Sequence, residues 1–196
     1  DDLSAALSKR IPRIIGFSNY SWNLNLSYEY IKRIKLKSPK SIVVMGGPNY
    51  GLTEGEISEF WSRYSLIDFY IVFEGEVAMV ELFKALKSVD YNVNTLKAKK
   101  IKLHNCHYQS GNVIVKGEHL PRIADLTELP SPYLTGLMDK FFDENLGPMI
   151  HTTRGCPFKC TFCTEGSSYY NQVNHRENQL EEELNYISER VRGPSD

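Results

Sequence analysis

No apolar run in these 196 residues approaches the ~18 that a membrane-spanning helix needs, so no membrane span is expected. Neither sign of charge dominates. There are 23 Lys and Arg against 24 Asp and Glu, a net charge of -1. Nucleic-acid binders usually carry a basic face, and without that surplus no nucleic-acid partner is expected. The first residues, Asp1-Asp2-Leu3-Ser4, show no basic segment followed by an apolar stretch, so no secretory leader is visible. Internal repeats and low-complexity tracts are also missing. Cysteine is scarce at four, and three of the four lie between Cys156 and Cys163. A disulfide framework would spread them along the chain. Clustered thiols in a chain read as cytoplasmic argue for metal or redox chemistry instead.

What is present first is alternation. Arg13-Ile14-Ile15-Gly16-Phe17, Ser41-Ile42-Val43-Val44-Met45 and Phe69-Tyr70-Ile71-Val72-Phe73 read as buried strands. Between them, Asn25 to Lys37 reads as a helix with Leu26, Tyr30 and Ile34 on its inner face. Thr53 and Glu56 form a capping-box pattern ahead of Ile57, Phe60, Trp61 and Tyr64. A further helix carries Met79, Leu82, Phe83 and Leu86 inward. Short apolar strands alternating with amphipathic helices predict an α/β fold, a doubly wound parallel sheet covered on both faces. Ligands of such sheets sit beyond the carboxyl ends of the strands. Here those ends are Ser18 to Asn23, Gly46 to Asn49 and Glu74 to Glu76, all rich in Gly and small polar residues.

The middle differs. Leu96 to Lys102 is Lys-rich and reads as solvated, and His104 to Val115 as a hairpin turning at Ser110-Gly111-Asn112. Residues 121–146 hold Pro121, Pro130, Pro132 and Gly136 and read as a linker between a domain at 1–120 and a second at 147–196. The second begins with a predicted strand, Pro148 to Thr152. It closes with a helix near Glu177 to Val191, striped by Leu180, Leu184, Ile187 and Val191.

Between those two lies Thr153-Arg154-Gly155-Cys156-Pro157-Phe158-Lys159-Cys160-Thr161-Phe162-Cys163. Three thiolates at C-x3-C-x2-C can wrap one small metal centre, and thiolates suit both iron–sulfur clusters and zinc. A four-iron cluster held by three Cys keeps one iron open for a small molecule. A structural zinc site would need a fourth ligand, with His151 or His175 as candidates, and would make the chain a non-catalytic binding module.

This loop, with an aromatic residue before its last Cys, resembles the signature of the radical S-adenosylmethionine superfamily. The α/β segment upstream, with Gly16-Phe17-Ser18, Met45-Gly46-Gly47-Pro48, Glu74-Gly75-Glu76 and the linker from Ile123 to Tyr133, resembles the branch with an N-terminal cobalamin-binding domain. The resemblance implies a partial flavodoxin-like sheet followed by the start of a (β/α) partial barrel. It implies that Cys156, Cys160 and Cys163 bind a [4Fe–4S] cluster whose open iron chelates S-adenosyl-L-methionine. One-electron cleavage of that cofactor to a 5′-deoxyadenosyl radical would follow. Phe162 matches the aromatic position near the adenine. Ser18, Gly46 and Gly47 would lie against cobalamin. A small-molecule substrate, methylated or rearranged at an unactivated carbon, and a one-electron donor such as flavodoxin or ferredoxin are implied with it. The string Asp-x-His-x-x-Gly, whose His ligates cobalt in cobalamin domains of one kind, does not occur in this sequence. Three strand–helix units and a short C-terminal part also imply a piece truncated at both ends, not expected to catalyse alone.

The remaining candidates have plainer readings. His104 and Cys106 could share a strand face as metal ligands, with His107 on the other, but a hairpin edge accounts for them. Glu74 and Glu76 could act as acid and base, but acidic groups also suit helix starts. Arg154 could balance thiolate charge. Glu181-Glu182-Glu183 reads as a solvated helix face.

Overall fold

Three short runs of Ile, Val, Phe and Met form parallel strands, as β-branched and aromatic residues in a doubly covered sheet should. They are β1 (Ile14–Ser18), β2 (Ile42–Gly46) and β3 (Phe69–Ile71), paired Ile14 to Ile42 and Val44 to Phe69. A helix, α1 (Asp2–Lys9), precedes them, and α2 (Leu24–Lys37), α3 (Glu54–Arg63) and α4 (Glu76–Ser88) connect and follow them. This is a computed structural model, and it describes residues 2–142, 146–176 and 179–191. The chain divides into two units, Asp1–Pro121 and Arg122–Asp196.

In the first unit the sheet grows past β3 by antiparallel pairing. After α5 (Val93–Ala98), the hairpin β4 (Cys106–Ser110) and β5 (Val113–Lys116) adds two strands, giving the order β1-β2-β3-β4-β5. The α/β class and the parallel sheet of β1 to β3 stand as expected, and the hairpin is part of the same sheet. The Thr53–Glu56 capping box is present on both sides, with the Thr53 hydroxyl and backbone meeting Glu56.

Two inner faces and the Lys-rich stretch differ from expectation. On α2 the buried residues are Ser27, Ile31 and Ile34, while Leu26 is exposed. The stripe is rotated because a small polar residue packs where an apolar one was sought. On α4, Ala78, Leu82 and Leu86 face in and Phe83 is largely exposed. The Lys-rich stretch is not simply solvated. It contains α5, capped by the Asn92 side chain on the Thr95 N–H, with Leu96 fully buried. Lys97 of α5 and Lys35 of α2 converge on Asp68, at 3.7 and 2.6 Å, and Asp68 also accepts the Val43 N–H.

Buried polar groups form a chain through the core. Trp61 Nε1 donates to the Tyr50 hydroxyl at 2.9 Å, and that hydroxyl lies 3.1 Å from His107 Nδ1. Indole N–H can only donate. Tyr50 therefore accepts from Trp61, and its hydroxyl shares a second hydrogen bond with His107 Nδ1 whose direction follows the His107 tautomer. Burial, reinforced by neighbouring His119 and Lys116, pushes the His107 imidazole down to about 4.

The second unit is less regular. β6 (Thr153–Arg154) pairs antiparallel with β7 (Asn174–His175), and α6 (Leu180–Ser188) follows. The strand predicted at Pro148 to Thr152 is absent: Tyr133 occupies the Met149 backbone instead, bonding its N–H and C=O through one hydroxyl. On α6, Ile187 is buried but Leu184 is half-exposed, because Glu183 turns inward to Arg176 at 2.9 Å, and Val191 lies past the helix end and is also exposed. Of the acidic run, therefore, Glu183 is not a solvated residue. Glu177, where that helix was predicted to begin, lies outside the described residues. No described helix is long and apolar enough to cross a membrane.

His107 makes stability depend on pH in a definite direction. The unfolded chain takes up the imidazole proton near 6.5 and the folded chain only near 4. Stability from this group is complete above about 6.5 and is lost as pH falls from there through about 4. Denaturant midpoints measured across that window should fall with acid, and His107→Gln should flatten the fall. An unchanged slope in the variant would contradict the assignment.

Candidate functional site

The carboxyl ends of β1 to β3 close around an open hollow of about 340 Å³. Phe17, Met45, Ile71 and Phe73 give it apolar walls, with Gly16, Gly46, Gly47 and Gly75 between them. Phe73 holds φ at 62°, a conformation uncommon for a bulky residue and one that concentrates at binding sites. Its ring stands edge-on to His119 at 4.8 Å.

Each predicted glycine has its own cause. A Cβ on Gly47, at φ 135°, would lie 2.5 Å from the Asn19 carbonyl oxygen, and one on Gly46 would lie 3.2 Å from that of Ile71. Gly47 is therefore required by neighbouring backbone, while at Gly46 the fit is tight and a side chain would need the Ile71 backbone to shift by a few tenths of an ångström. Gly16 is different: a Cβ there meets nothing within 4 Å. Its missing side chain leaves open a cradle in the hollow that the protein itself does not fill. Ser18 does not line the hollow. It is exposed, and its hydroxyl accepts from Asn23 Nδ2 at 2.9 Å.

The loops around the hollow are held by groups that sequence reasoning missed. Asn19 is fully buried and bonds Gly46, Asn49 and Tyr70, and the Tyr70 hydroxyl donates to the Gly47 carbonyl at 2.8 Å. A polar residue just past a strand end was the available signal, but sequence does not show its burial. Glu76 opens α4, which agrees with the helix-start reading. His104 pairs with Glu81 at 3.0 Å while Cys106 is fully buried, its thiol pushed up to about 12 by burial. The two are not a ligand pair.

In the second unit Gly155, at φ 102°, turns the chain out of β6 into the Cys loop. The Cys156 N–H donates to the Tyr170 carbonyl at 2.8 Å, Cys163 N–H to Cys160 O at 3.2 Å, and Gly166 N–H to Cys163 O at 2.9 Å. The loop is thus tethered at each cysteine. All three thiols are free, Cys160 and Cys163 are exposed, and Cys156 is half-buried. Phe162 is 92% exposed, an open ring immediately before Cys163. His151 and His175 are exposed, and Arg154 pairs with Asn174 across β6 and β7. Among the described residues no three His, Cys, Asp or Glu side chains are gathered for a single metal ion. Three free thiols on one loop are the donor type that iron–sulfur clusters take.

A parallel α/β sheet with an apolar, glycine-edged hollow at its carboxyl ends is the form of a nucleotide- or cofactor-binding domain. Residues 1–83 match the family model described as B12 binding domain. Over about nine-tenths of the chain the sequence is also similar to a cobalamin-dependent radical S-adenosylmethionine methyltransferase, which together with the B12 match bears out the resemblance read from its motifs. One relative is the 2-(S-pantetheinyl)-carbapenam-3-carboxylate methyltransferase of Streptantibioticus cattleyicolor, 28% identical over 91% of this chain and 26% of the relative. Another is the cobalamin-dependent radical SAM methyltransferase TokK of Streptomyces tokunonensis, 27% identical over 90% of this chain and 26% of TokK. A third is the anaerobic magnesium-protoporphyrin IX monomethyl ester cyclase of Cereibacter sphaeroides, 23% identical over 84% of this chain and 26% of the cyclase. The chain thus spans about a quarter of the length of these relatives.

The two glycines separate packing from binding. Gly47→Ala should destabilise the first unit by about 1–3 kcal/mol, the scale of a strained backbone forced on an L residue. Gly16→Ala should leave stability within about 0.5 kcal/mol, as an unconstrained surface change does. Equal losses in urea titrations of the two variants would contradict the reading.

Proposed function

We propose that this chain is the cofactor-bearing part of a cobalamin-dependent radical S-adenosylmethionine enzyme, and that the whole protein transfers a methyl group to an unactivated carbon of a small molecule. One observation carries the proposal: a B12 binding domain match at residues 1–83 and three free thiols at C-x3-C-x2-C occur in one chain. Either alone has other uses.

Cys156, Cys160 and Cys163 are the ligands of a [4Fe–4S] cluster in this reading. Bound there, the cluster supplies the electron that cleaves S-adenosyl-L-methionine and opens radical chemistry. The protein's part is to hold and orient. Gly155 and the Tyr170 carbonyl fix the first thiol, and the exposed Phe162 ring offers its face to the adenine. In the first unit, Gly16, Gly46 and Gly47 and the walls Phe17, Met45 and Phe73 take one flat part of the corrinoid, with Ser18 at the rim. A flavodoxin- or ferredoxin-type donor supplies electrons. Methyl transfer is preferred over cyclisation because two of the relatives described are named methyltransferases and one a cyclase.

The test is electron paramagnetic resonance of the reduced, anaerobically reconstituted whole protein, with Cys160→Ala beside it. A cluster signal that S-adenosylmethionine shifts, and that the variant loses, is expected. Protein with one tight zinc and no such signal would overturn the proposal in favour of a zinc-stabilised module.

A further inference from the structure

Arg122 stands at the start of the second unit, in the segment predicted as linker. Its guanidinium Nη1 donates to the Gln172 carbonyl. Its charge lies 5.9 Å from the Tyr169 ring centroid and 5.8 Å from that of Tyr170, within reach of a cation–π contact to both. Asn174 adds a second tie, its Nδ2 donating to the Ile123 carbonyl at 2.7 Å from a buried position. Residues 122 and 123 thus grip the stretch from Tyr169 to Asn174. That stretch holds the Cys loop, because the Tyr170 carbonyl accepts the Cys156 N–H and Asn174 pairs with Arg154.

Gly155 shows that the arrangement is a fitted one. A Cβ there would lie 2.1 Å from the Gln172 oxygen, 2.7 Å from Arg122 Nη1 and 2.8 Å from the Tyr170 oxygen. The glycine before the first Cys therefore makes room for the guanidinium and for the carbonyl it bonds. A planar guanidinium with several donors can bond a carbonyl and lie against rings at once, which an ammonium cannot do equally well.

We propose that Arg122 is a positioning residue for the Cys loop, setting the place of Cys156 through Gln172 and Tyr170. The inference rests on the cluster reading given above. Partners that orient metal ligands from outside typically change metal affinity by about 10–100-fold.

The experiment uses the whole protein, reconstituted without oxygen, as wild type, Arg122→Ala, Arg122→Lys and Tyr170→Leu. Two quantities are read: the rate of iron loss to a chelator, and the resonance spectrum of the reduced cluster with and without S-adenosylmethionine. Circular dichroism checks that each variant is folded. Arg122→Ala should lose iron at least about 10-fold faster, with an altered spectrum, and Arg122→Lys should recover only part of both. Tyr170→Leu should move both in the same direction, which keeps the test open if one variant fails to fold. Folded Arg122→Ala with wild-type iron retention and spectrum would overturn the inference while leaving the cluster reading intact. A wild-type protein that takes up no iron would overturn both.

Discussion

Asn19 has no exposed surface, and its bonds close the carboxyl end of the sheet. Its N–H donates to Gly46 O at 2.7 Å, and its carbonyl accepts from the Asn49 N–H at 3.2 Å. Its side chain bonds the Asn49 carbonyl at 2.6 Å, the Tyr70 hydroxyl at 3.0 Å and the Asn49 amide at 3.1 Å. A buried amide left without partners would cost several kcal/mol, so the two loops it joins are held together. Gly47 follows from this, since the Asn19 backbone occupies the space of its side chain. So does Tyr50, whose ring stacks on Tyr70 at 4.1 Å and whose hydroxyl reaches Trp61 of α3 and His107 of β4. The hollow beside Gly16 is therefore bordered by loops already fixed before any ligand arrives. Preorganisation of this kind lowers the ordering cost of binding.

The Cys loop solves a similar problem with different means. Its three thiols lie on a stretch with almost no hydrophobic anchor, so backbone bonds do the holding. Tyr170, Cys160 and Cys163 carbonyls each accept one N–H of the loop. Exposed Cys160, Cys163 and Phe162 leave the loop's open side free for ligands. The proposed grip of Arg122 belongs to this same scheme.

Sequence periodicity carried the parallel strands well, because β2 and β3 are almost uniformly apolar and buried on both faces. It misplaced the inner face of α2 because Ser27 is buried and Leu26 is not. It missed α5 because lysines surround Leu96, and their stems cover apolar surface while their charges stay near water or Asp68. The strand sought at Pro148 to Thr152 failed because a distant Tyr133 hydroxyl takes the backbone bonds a ladder would use. The cysteine motif is read from spacing alone, and its role as a cluster site stands as the proposal above. Asn19, His107 and Arg122 were not legible in this way, since a polar residue's importance here comes from burial or from partners far along the chain.

Coexistence of two cofactors on one polypeptide is the central claim, and metal stoichiometry tests it most directly. Cobalt, iron and zinc would be counted in one anaerobic preparation of the whole protein, reconstituted with iron, sulfide and cobalamin and freed of unbound metal. The account predicts about one cobalt and about four irons per chain in the same fraction. Zinc in place of iron, or iron with no retained cobalt, would contradict it.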